Sequence, residues 1–452
     1  MKFIICGAGK VGLTIAQQLL LNTENDVTIV DFDEERISNA KNLDLKTIYG
    51  FSSSPETLDM AGAIYADTII CVTLSDEINM LTAHIAGTMF NVKTKIARIR
   101  STMYLSDKWS SHIYRQGVLG IDYIVSPEIE IAKHVMDMLY HVGVECRIPF
   151  YRQNYNLISI LIKSQYNQYT ITELQNKIDL YGLEECDIKF VKRDNELHFV
   201  SDDFSLGTGD EVYFLCKNKD VQQVVKVLYG SVLKLQNVLV CGGGDVGLNI
   251  AQHLESKHFN VKLIEKNQER SDFLANNLSY NTVVMCGDMH DKNLLEECGS
   301  MDAIISVSGH DEVNLFTTLI AQSIGIPKCF TLIDERNYSD VFANLNLQNI
   351  INTRDITISK ILNCIGGQYF TMQEVVCGGV YIICEFIINK NASINGLEYH
   401  KVETMEMYIL GMVRGGEVIN NEFTEGKFID GDVILAILPF KNIHKLEKLL
   451  KH

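Results

Sequence analysis

The chain contains only 5 prolines and a single tryptophan in 452 residues. So few prolines leave little room for extended linkers, and 46% hydrophobic with 21% charged residues is the composition of a chain folded throughout. Basic charge is also in short supply, with 40 Lys and Arg against 57 Asp and Glu and a formal net charge of −17. A broad nucleic-acid surface relies on clustered cations that release counterions, so no nucleic-acid partner is expected, and unaided docking on anionic lipid is equally disfavoured. No apolar run approaches the ~18–20 residues needed to cross a bilayer. Met1, Lys2 and Phe3 enter a strand directly, without the charged, apolar and cleavage regions of a signal peptide. The expectation is a soluble, cytoplasmic protein. The 12 cysteines include no CxxC pair, and most, such as Cys6, Cys71, Cys216 and Cys241, lie in apolar strand-like runs. They read as reduced core thiols rather than as disulfides or a metal site.

What the chain does have, it has twice. Residues 4–12 (IICGAGKVG) read as a buried strand running into a phosphate-binding turn and a helix, and residues 239–247 (LVCGGGDVG) repeat that pattern. Gly242, Gly244 and Gly247 each stand 235 positions beyond Gly7, Gly9 and Gly12. In the first copy a β-branched strand, Asp26–Asp31, ends in an acid 19 residues past Gly12; in the second, Val261–Glu265 ends in one 18 residues past Gly247. That spacing belongs to dinucleotide folds. The glycines let backbone approach a pyrophosphate, the helix N-terminus supplies N–H groups and positive dipole, and the acid accepts hydrogen bonds from ribose hydroxyls. Asp31 would repel a 2′-phosphate, which favours NAD(H) or an adenosine phosphate (ATP or ADP) over NADP.

The candidate cofactor-binding set in the first copy is Gly7, Ala8, Gly9, Lys10, Val11, Gly12 and Asp31, with Thr73 just past the fourth strand and Arg98 on the fifth. In the second it is Gly242, Gly243, Gly244, Asp245, Val246, Gly247 and Glu265. Arg98 and Arg100 sit where they could reach phosphates across the crevice or form interface ion pairs. The fifth strand of the second copy, Phe330–Asp334, carries no arginine, so its site should treat phosphate charge differently.

Strands and helices alternate through each copy, which predicts a parallel, doubly wound sheet. Helix starts repeat as well: Asp76, Glu77 and Asn79 align with Asp311, Glu312 and Asn314. Acids there complement the helix dipole. The asparagine inside the helix needs another reason, either ligand contact or a packed partner turn. His310, whose counterpart is Ser75, reads as a loop histidine rather than a base. Each nucleotide unit is followed by a small α+β unit, with Thr208-Gly-Asp210 before one apolar strand and Asp430-Gly-Asp432 before another. The expected domains are 1–126 and 235–352 for the nucleotide folds, with 127–230 and 353–452 each holding a crossover helix and a small α+β domain. No catalytic residue is expected: Tyr104 and Lys108 form a YxxxK pattern of the kind reductases use, but without an evident serine partner it reads as a chance match.

The whole arrangement resembles the TrkA family of Trk-system potassium uptake proteins, built from two tandem RCK (regulator of potassium conductance) units. The residues that carry the resemblance are Gly7–Gly12, Asp31, Ser75–Asn79 and Ala97–Ser101. Two departures stand out. The first copy has Phe51 after Gly50 where the family carries Gly-Asp, a pair the second copy keeps as Gly287 and Asp288, and the second copy lacks the arginine strand. The resemblance implies two Rossmann-like RCK N-type domains, each with a small RCK C-type domain. It implies a homo-oligomeric gating ring, a dimer or tetramer, peripheral on the inner face of the membrane. Its partner would be an integral potassium-translocating subunit, TrkH- or TrkG-like, gated by nucleotide binding. The alternatives are an NAD-dependent oxidoreductase and a nucleotide sensor of a potassium efflux system.

Overall fold

The structure, a computed structural model, describes residues 1–20, 25–43, 45–106, 118–150, 154–199, 204–231, 234–334, 347, 349–365, 370–377, 380–419 and 426–450. These form two compact units: one of Met1–Val125, Gly143–Ser231 and Ile358–His452, the other of Ser126–Val142 and Val232–Thr357.

In the first unit, strands β1 (Lys2–Cys6), β2 (Asp26–Asp31), β3 (Lys46–Tyr49), β4 (Thr68–Cys71), β5 (Thr94–Arg98) and β6 (Tyr123–Val125) form a sheet of order β3-β2-β1-β4-β5-β6. Every pairing in it is parallel. This is the doubly wound order, whose direction reverses between β1 and β4 and opens a crevice at that switch point. Alternate side chains leave opposite faces of a strand. Ile4, Cys6, Ile69, Cys71 and Ala97 therefore join one core with Met80, Ala83 and Ala86 of helix Asp76–Phe90. Phe3, Ile5, Val27, Ile29, Ile70 and Ile96 join the other with Ile15, Ala16 and Leu19 of helix Lys10–Leu20.

A five-stranded antiparallel sheet follows: β7 (Cys146–Phe150), β8 (Tyr155–Leu161), β9 (Asp187–Arg193), β10 (Glu196–Phe199) and β11 (Glu211–Lys217), in the order β10-β9-β11-β8-β7. Strands β9 and β10 form a hairpin, and Asp194 and Asn195 between them both take positive φ, 49° and 65°, as a two-residue hairpin turn requires.

The second unit repeats the doubly wound sheet with β12 (Asn237–Cys241), β13 (Asn260–Glu265), β14 (Val283–Cys286), β15 (Ala303–Ser306), β16 (Lys328–Ile333) and β17 (Ile350–Asn352), ordered β14-β13-β12-β15-β16-β17 and again all parallel. Helix Pro127–Tyr140, which follows the first sheet in sequence, packs Ile131, Ala132, Val135, Met136 and Leu139 into the core of this second sheet. The reciprocal holds for helix Thr353–Ile365, whose Ile358, Ile361 and Leu362 join the core of the first sheet. The helices after the two nucleotide folds are thus exchanged.

The C-terminal segment returns to the first unit as β18 (Phe370–Val376), β19 (Tyr381–Ile387), β20 (Tyr408–Arg414), β21 (Glu417–Ile419) and β22 (Val433–Pro439), in the order β18-β19-β22-β20-β21. This is the topology of the β7–β11 sheet, and the β20–β21 turn again takes positive φ, now at Gly415 and Gly416. The two small sheets pack face to face: Phe150, Leu157, Phe190 and Leu215 share a core with Ile383, Leu410, Leu435 and Ile437. They approach so closely at Gly411 that a Cβ there would lie 2.6 Å from the Leu215 side chain.

One carboxyl is caught in this seam. Glu374 of β18 faces Glu211 and Lys192 of the opposite sheet, where Lys192 Nζ sits 2.8 Å from Glu211 Oε2. Burial raises the Glu374 carboxyl from 4.5 to about 7, with the like charge of Glu211 adding to the effect. The folded state therefore prefers the protonated form. Stability is full below the unfolded value near 4.5 and falls as pH rises through about 7. Replacing Glu374 by glutamine should remove that slope and stabilise the protein above neutrality by on the order of 2–3 kcal/mol. Melting temperatures of both forms across pH 5–9 check this; parallel curves would count against a buried, titrating Glu374.

Candidate functional site

At the first switch point the glycines divide by task. Gly7 has φ +115°, and a Cβ on it would meet the Thr73 N and the Val72 carbonyl at 3.0 Å. On Gly12 a Cβ would lie 1.9 Å from the Gly7 carbonyl oxygen, so the turn can close onto the helix only with glycine there. Gly9 differs: its missing side chain would meet no protein atom within 4 Å. Packing does not demand glycine at position 9, and in dinucleotide folds a glycine at this place lets a phosphate come close to the helix N-terminus. Gly242, Gly247 and Gly244 repeat these three roles, with Gly242 at φ +116°, Gly247 1.9 Å from the Gly242 carbonyl and Gly244 open.

The strand-end acids are tied to these turns. Asp31, 6% exposed, accepts the Ala8 N–H at 2.6 Å through Oδ2 and the Asp33 N–H at 3.0 Å through Oδ1. Glu265 accepts the Gly243 N–H and the Asn267 N–H, both at 2.8 Å. A carboxylate offers about four acceptor positions, so capacity remains for two ribose hydroxyls. Both acids therefore position their turns and keep acceptor capacity beyond those backbone bonds. The extra methylene of Glu265 explains why Gly243 stands where the first copy has Ala8: a Cβ on Gly243 would meet Glu265 Oε2 at 2.9 Å and Leu274 Cδ1 at 2.3 Å. Gly243→Ala should displace the Glu265 carboxylate and weaken nucleotide binding at the second site by about tenfold or more, the loss of one hydrogen bond to a charged group. Ala8→Gly should leave the first site nearly unchanged. Calorimetric titration of the two variants separates them, and equal effects would refute the pairing.

The turns also differ in charge. Lys10 opens the first helix, whereas Asp245 opens the second and is met by Arg270, whose Nη2 lies 2.9 Å from Asp245 Oδ1 while its Nε donates to the Gly243 carbonyl at 2.7 Å. An acid already complements the second helix dipole, so that turn offers an incoming phosphate less positive field than the first. Val11 and Val246 are partly buried and pack against the cores of their sheets.

The recurring asparagines are structural. Asn79, fully buried, accepts from the Thr73 N–H at 2.9 Å and hydroxyl at 2.7 Å, and donates to the Thr73 carbonyl at 3.1 Å and the Arg98 carbonyl at 2.9 Å. Asn314 binds Ser308 and the Leu332 carbonyl in the same way. Of the two readings open for these residues, the partner turn is the one observed. Thr73 thus turns its hydroxyl onto Asn79, and Arg98 Nη2 donates to the Thr73 carbonyl at 2.9 Å, which places both at the crevice wall, braced by the fold. The Arg100 N–H, with that of Ser101, binds the Asp76 carboxylate, as the Asp334 N–H binds Asp311. The Tyr104 hydroxyl donates to Glu77 at 2.9 Å, and Lys108 of the YxxxK pattern lies outside the described residues.

The family model for the TrkA-N domain matches residues 3–127 and again 238–353, more than half of the chain. The chain belongs to the TrkA family. The protein of Halomonas elongata named Trk system potassium uptake protein TrkA is 32% identical over the whole of this chain and 99% of its own length. The TrkA protein of Haemophilus influenzae is 28% identical over a similar span, and that of Azorhizobium caulinodans 32% identical over 80% of this chain and 79% of its own. The solved GsuK RCK domain matches 99% of this chain and 94% of its own at a TM-score of 0.61 and 12% identity. The GsuK channel bound to NAD matches 99% of this chain and 78% of its own, also at 0.61 and 12%. At that identity the likeness is one of fold: tandem Rossmann-like sheets, each with a small α+β partner. Among the described residues of this TrkA-family chain, no helix is long and apolar enough to cross a membrane. No group of three or more His, Cys, Asp or Glu among them is arranged to hold a metal.

Proposed function

We propose that this chain is the nucleotide-binding regulatory subunit of a Trk-type potassium-uptake system, without an enzymatic reaction of its own. The observation that carries the reading is a strand-end carboxylate bound to the N–H of the glycine turn beside an open glycine, built twice, at Asp31–Ala8–Gly9 and Glu265–Gly243–Gly244. Bound NAD(H), ADP or ATP would supply a pyrophosphate to each helix N-terminus and ribose hydroxyls to each acid. Gly9 and Gly244 leave room for the phosphates; Asp31 and Glu265 orient the sugar. In the first copy Thr73 and Arg98 are cofactor-contacting candidates at the crevice wall, and Lys10 favours anionic ligands.

Regulation follows from where the acids sit. Asp31 and Glu265 join a ligand to the loop leading into the next helix, through the Asp33 and Asn267 N–H groups. A nucleotide can shift an assembly only by its differential affinity for two arrangements of it, and these links give the ligand a mechanical purchase on the fold. The relatives are named Trk system potassium uptake proteins, which supports a membrane potassium-translocating partner; in our reading that partner is a TrkH- or TrkG-like subunit, and a homo-oligomer of this chain sits beneath it on the cytoplasmic face. Potassium flux through the reconstituted partner should change by several-fold as ATP, ADP, NAD and NADH are exchanged. Flux indifferent to all four would sink the reading.

A further inference from the structure

Beside each ribose-directed acid the two copies carry different rims. Phe32 directly follows Asp31, and the Gly50 N–H donates to the Asp31 carbonyl at 2.9 Å, which brings Phe51 alongside. The two rings stack with centroids 5.5 Å apart and planes 9° from parallel, yet Phe32 is 54% and Phe51 62% exposed. In the second copy the Gly287 N–H donates to the Glu265 carbonyl at 2.9 Å, and the residues in the same two places are Lys266 and Asp288. Their side chains form an ion pair at 2.8 Å, and Lys266 holds the Asp288 carboxyl below its ordinary value. One backbone frame therefore presents an aromatic stack in one copy and a salt bridge in the other.

A packing role does not account for rings left more than half in water. The rim lies one residue from the carboxylate that faces the ribose, and a nucleobase is one glycosidic bond from that ribose. Resting on the Proposed function reading, we infer that Phe32 and Phe51 form the base-stacking platform of the first nucleotide site, whereas the Lys266–Asp288 rim gives the second site no stacking surface. The ligand class is a nucleotide with an aromatic base, held at the first site by ring-on-ring contact and at the second by its sugar and phosphates. Base-on-aromatic stacking makes the first site roughly 10- to 100-fold tighter than the same site without the rings.

The test uses the full chain titrated with ethenoadenosine diphosphate, whose fluorescence reports stacking, and with inorganic pyrophosphate, which has no base. The wild type should show a class of sites with stacking-quenched fluorescence. That class should weaken by about 10- to 100-fold in the Phe32→Ala, Phe51→Ala double variant, with pyrophosphate affinity changed by less than about twofold. A Phe32→Lys, Phe51→Asp variant copies the rim of the second site, keeps the positions paired, and should lose quenching in the same way. Unchanged affinity for the etheno nucleotide overturns the inference, as does an equal loss for pyrophosphate, which would mark the rings as supports of the turn. A change in oligomer size with unchanged nucleotide binding would assign the rings to contact with a second copy and also overturn it. Wild-type protein that binds neither probe would refute the nucleotide reading itself.

Discussion

Replacing Arg414 by methionine is expected to lower the free energy of unfolding by about 3–5 kcal/mol, the cost of leaving a buried charge without its partner. Arg414 binds Asp432 by two parallel bonds, Nε to Oδ1 at 2.8 Å and Nη2 to Oδ2 at 2.7 Å. Nη2 also donates to the Lys427 carbonyl and the Tyr399 hydroxyl, both at 2.9 Å. The Asp432 side chain is 1% exposed, and after the substitution its remaining donor in this set is the Ile429 N–H. Methionine keeps most of the apolar stem, so the loss isolates the charge rather than the packing. The β7–β11 sheet supplies an internal replicate. Arg193 Nε and Nη2 bind Asp210 at 2.8 and 2.6 Å, and the Gly207 N–H donates to the same carboxylate at 2.7 Å. Burial alone would raise the Asp210 carboxyl, and the Arg193 guanidinium outweighs it and holds the group below its ordinary value. A depressed carboxyl contributes stability above its unfolded value, near 3.9, and loses it as pH falls through the folded one. Arg193→Met should therefore cost a comparable amount at neutral pH and less in acid. Denaturant unfolding of both variants at two pH values measures it; a loss under about 1 kcal/mol for either would refute the isolated-charge argument.

Alanine at position 12 should be the second severe change, and the informative comparison is with alanine at position 9. On Gly12 the new methyl would sit 1.9 Å from the Gly7 carbonyl oxygen, and backbone cannot step aside as a flexible side chain can. The turn must open, at a cost of about 3 kcal/mol or more, and nucleotide binding should fall with it. On Gly9 the methyl meets no protein atom within 4 Å. Gly9→Ala should leave stability within about 1 kcal/mol of the parent, since it loses only a favoured N-cap residue. It should nonetheless weaken nucleotide binding by tenfold or more, because the space it fills is where the proposed function places the pyrophosphate. Thermal unfolding and ADP titration of the two variants separate fold from ligand. A Gly9→Ala chain that binds ADP normally would remove the phosphate assignment from this turn.

Much of this was legible because it is encoded locally. The glycine spacing, the acids at positions 31 and 265 and the alternation of strands and helices each involve a few neighbouring residues, and all are observed in the sheets described above. Helix Asp76–Phe90 begins where the repeated acids place its start, with Ser75 as its cap, and Asn91, at φ +57°, closes its other end. Asn79 marks the edge of legibility: its recurrence was visible at position 314, but two roles were consistent with it. Only the meeting of β4, β5 and the helix start in space shows four hydrogen bonds to Thr73 and Arg98.

The sequence by itself determined the duplication, the doubly wound class, the turn-and-acid pairs and the family. These rest on spacing along one chain, and spacing survives without knowledge of the partners. Tertiary structure alone decided which apolar face meets which. The helix at 127–140 serves the second sheet and Ile358–Leu362 the first, the two small sheets close on each other at Gly411, and Phe32 meets Phe51 where Lys266 meets Asp288. Hydrophobic burial is not directional, so an amphipathic pattern states that a face will be covered and leaves open by what. That choice belongs to the packed chain, and it separates two otherwise matching nucleotide folds.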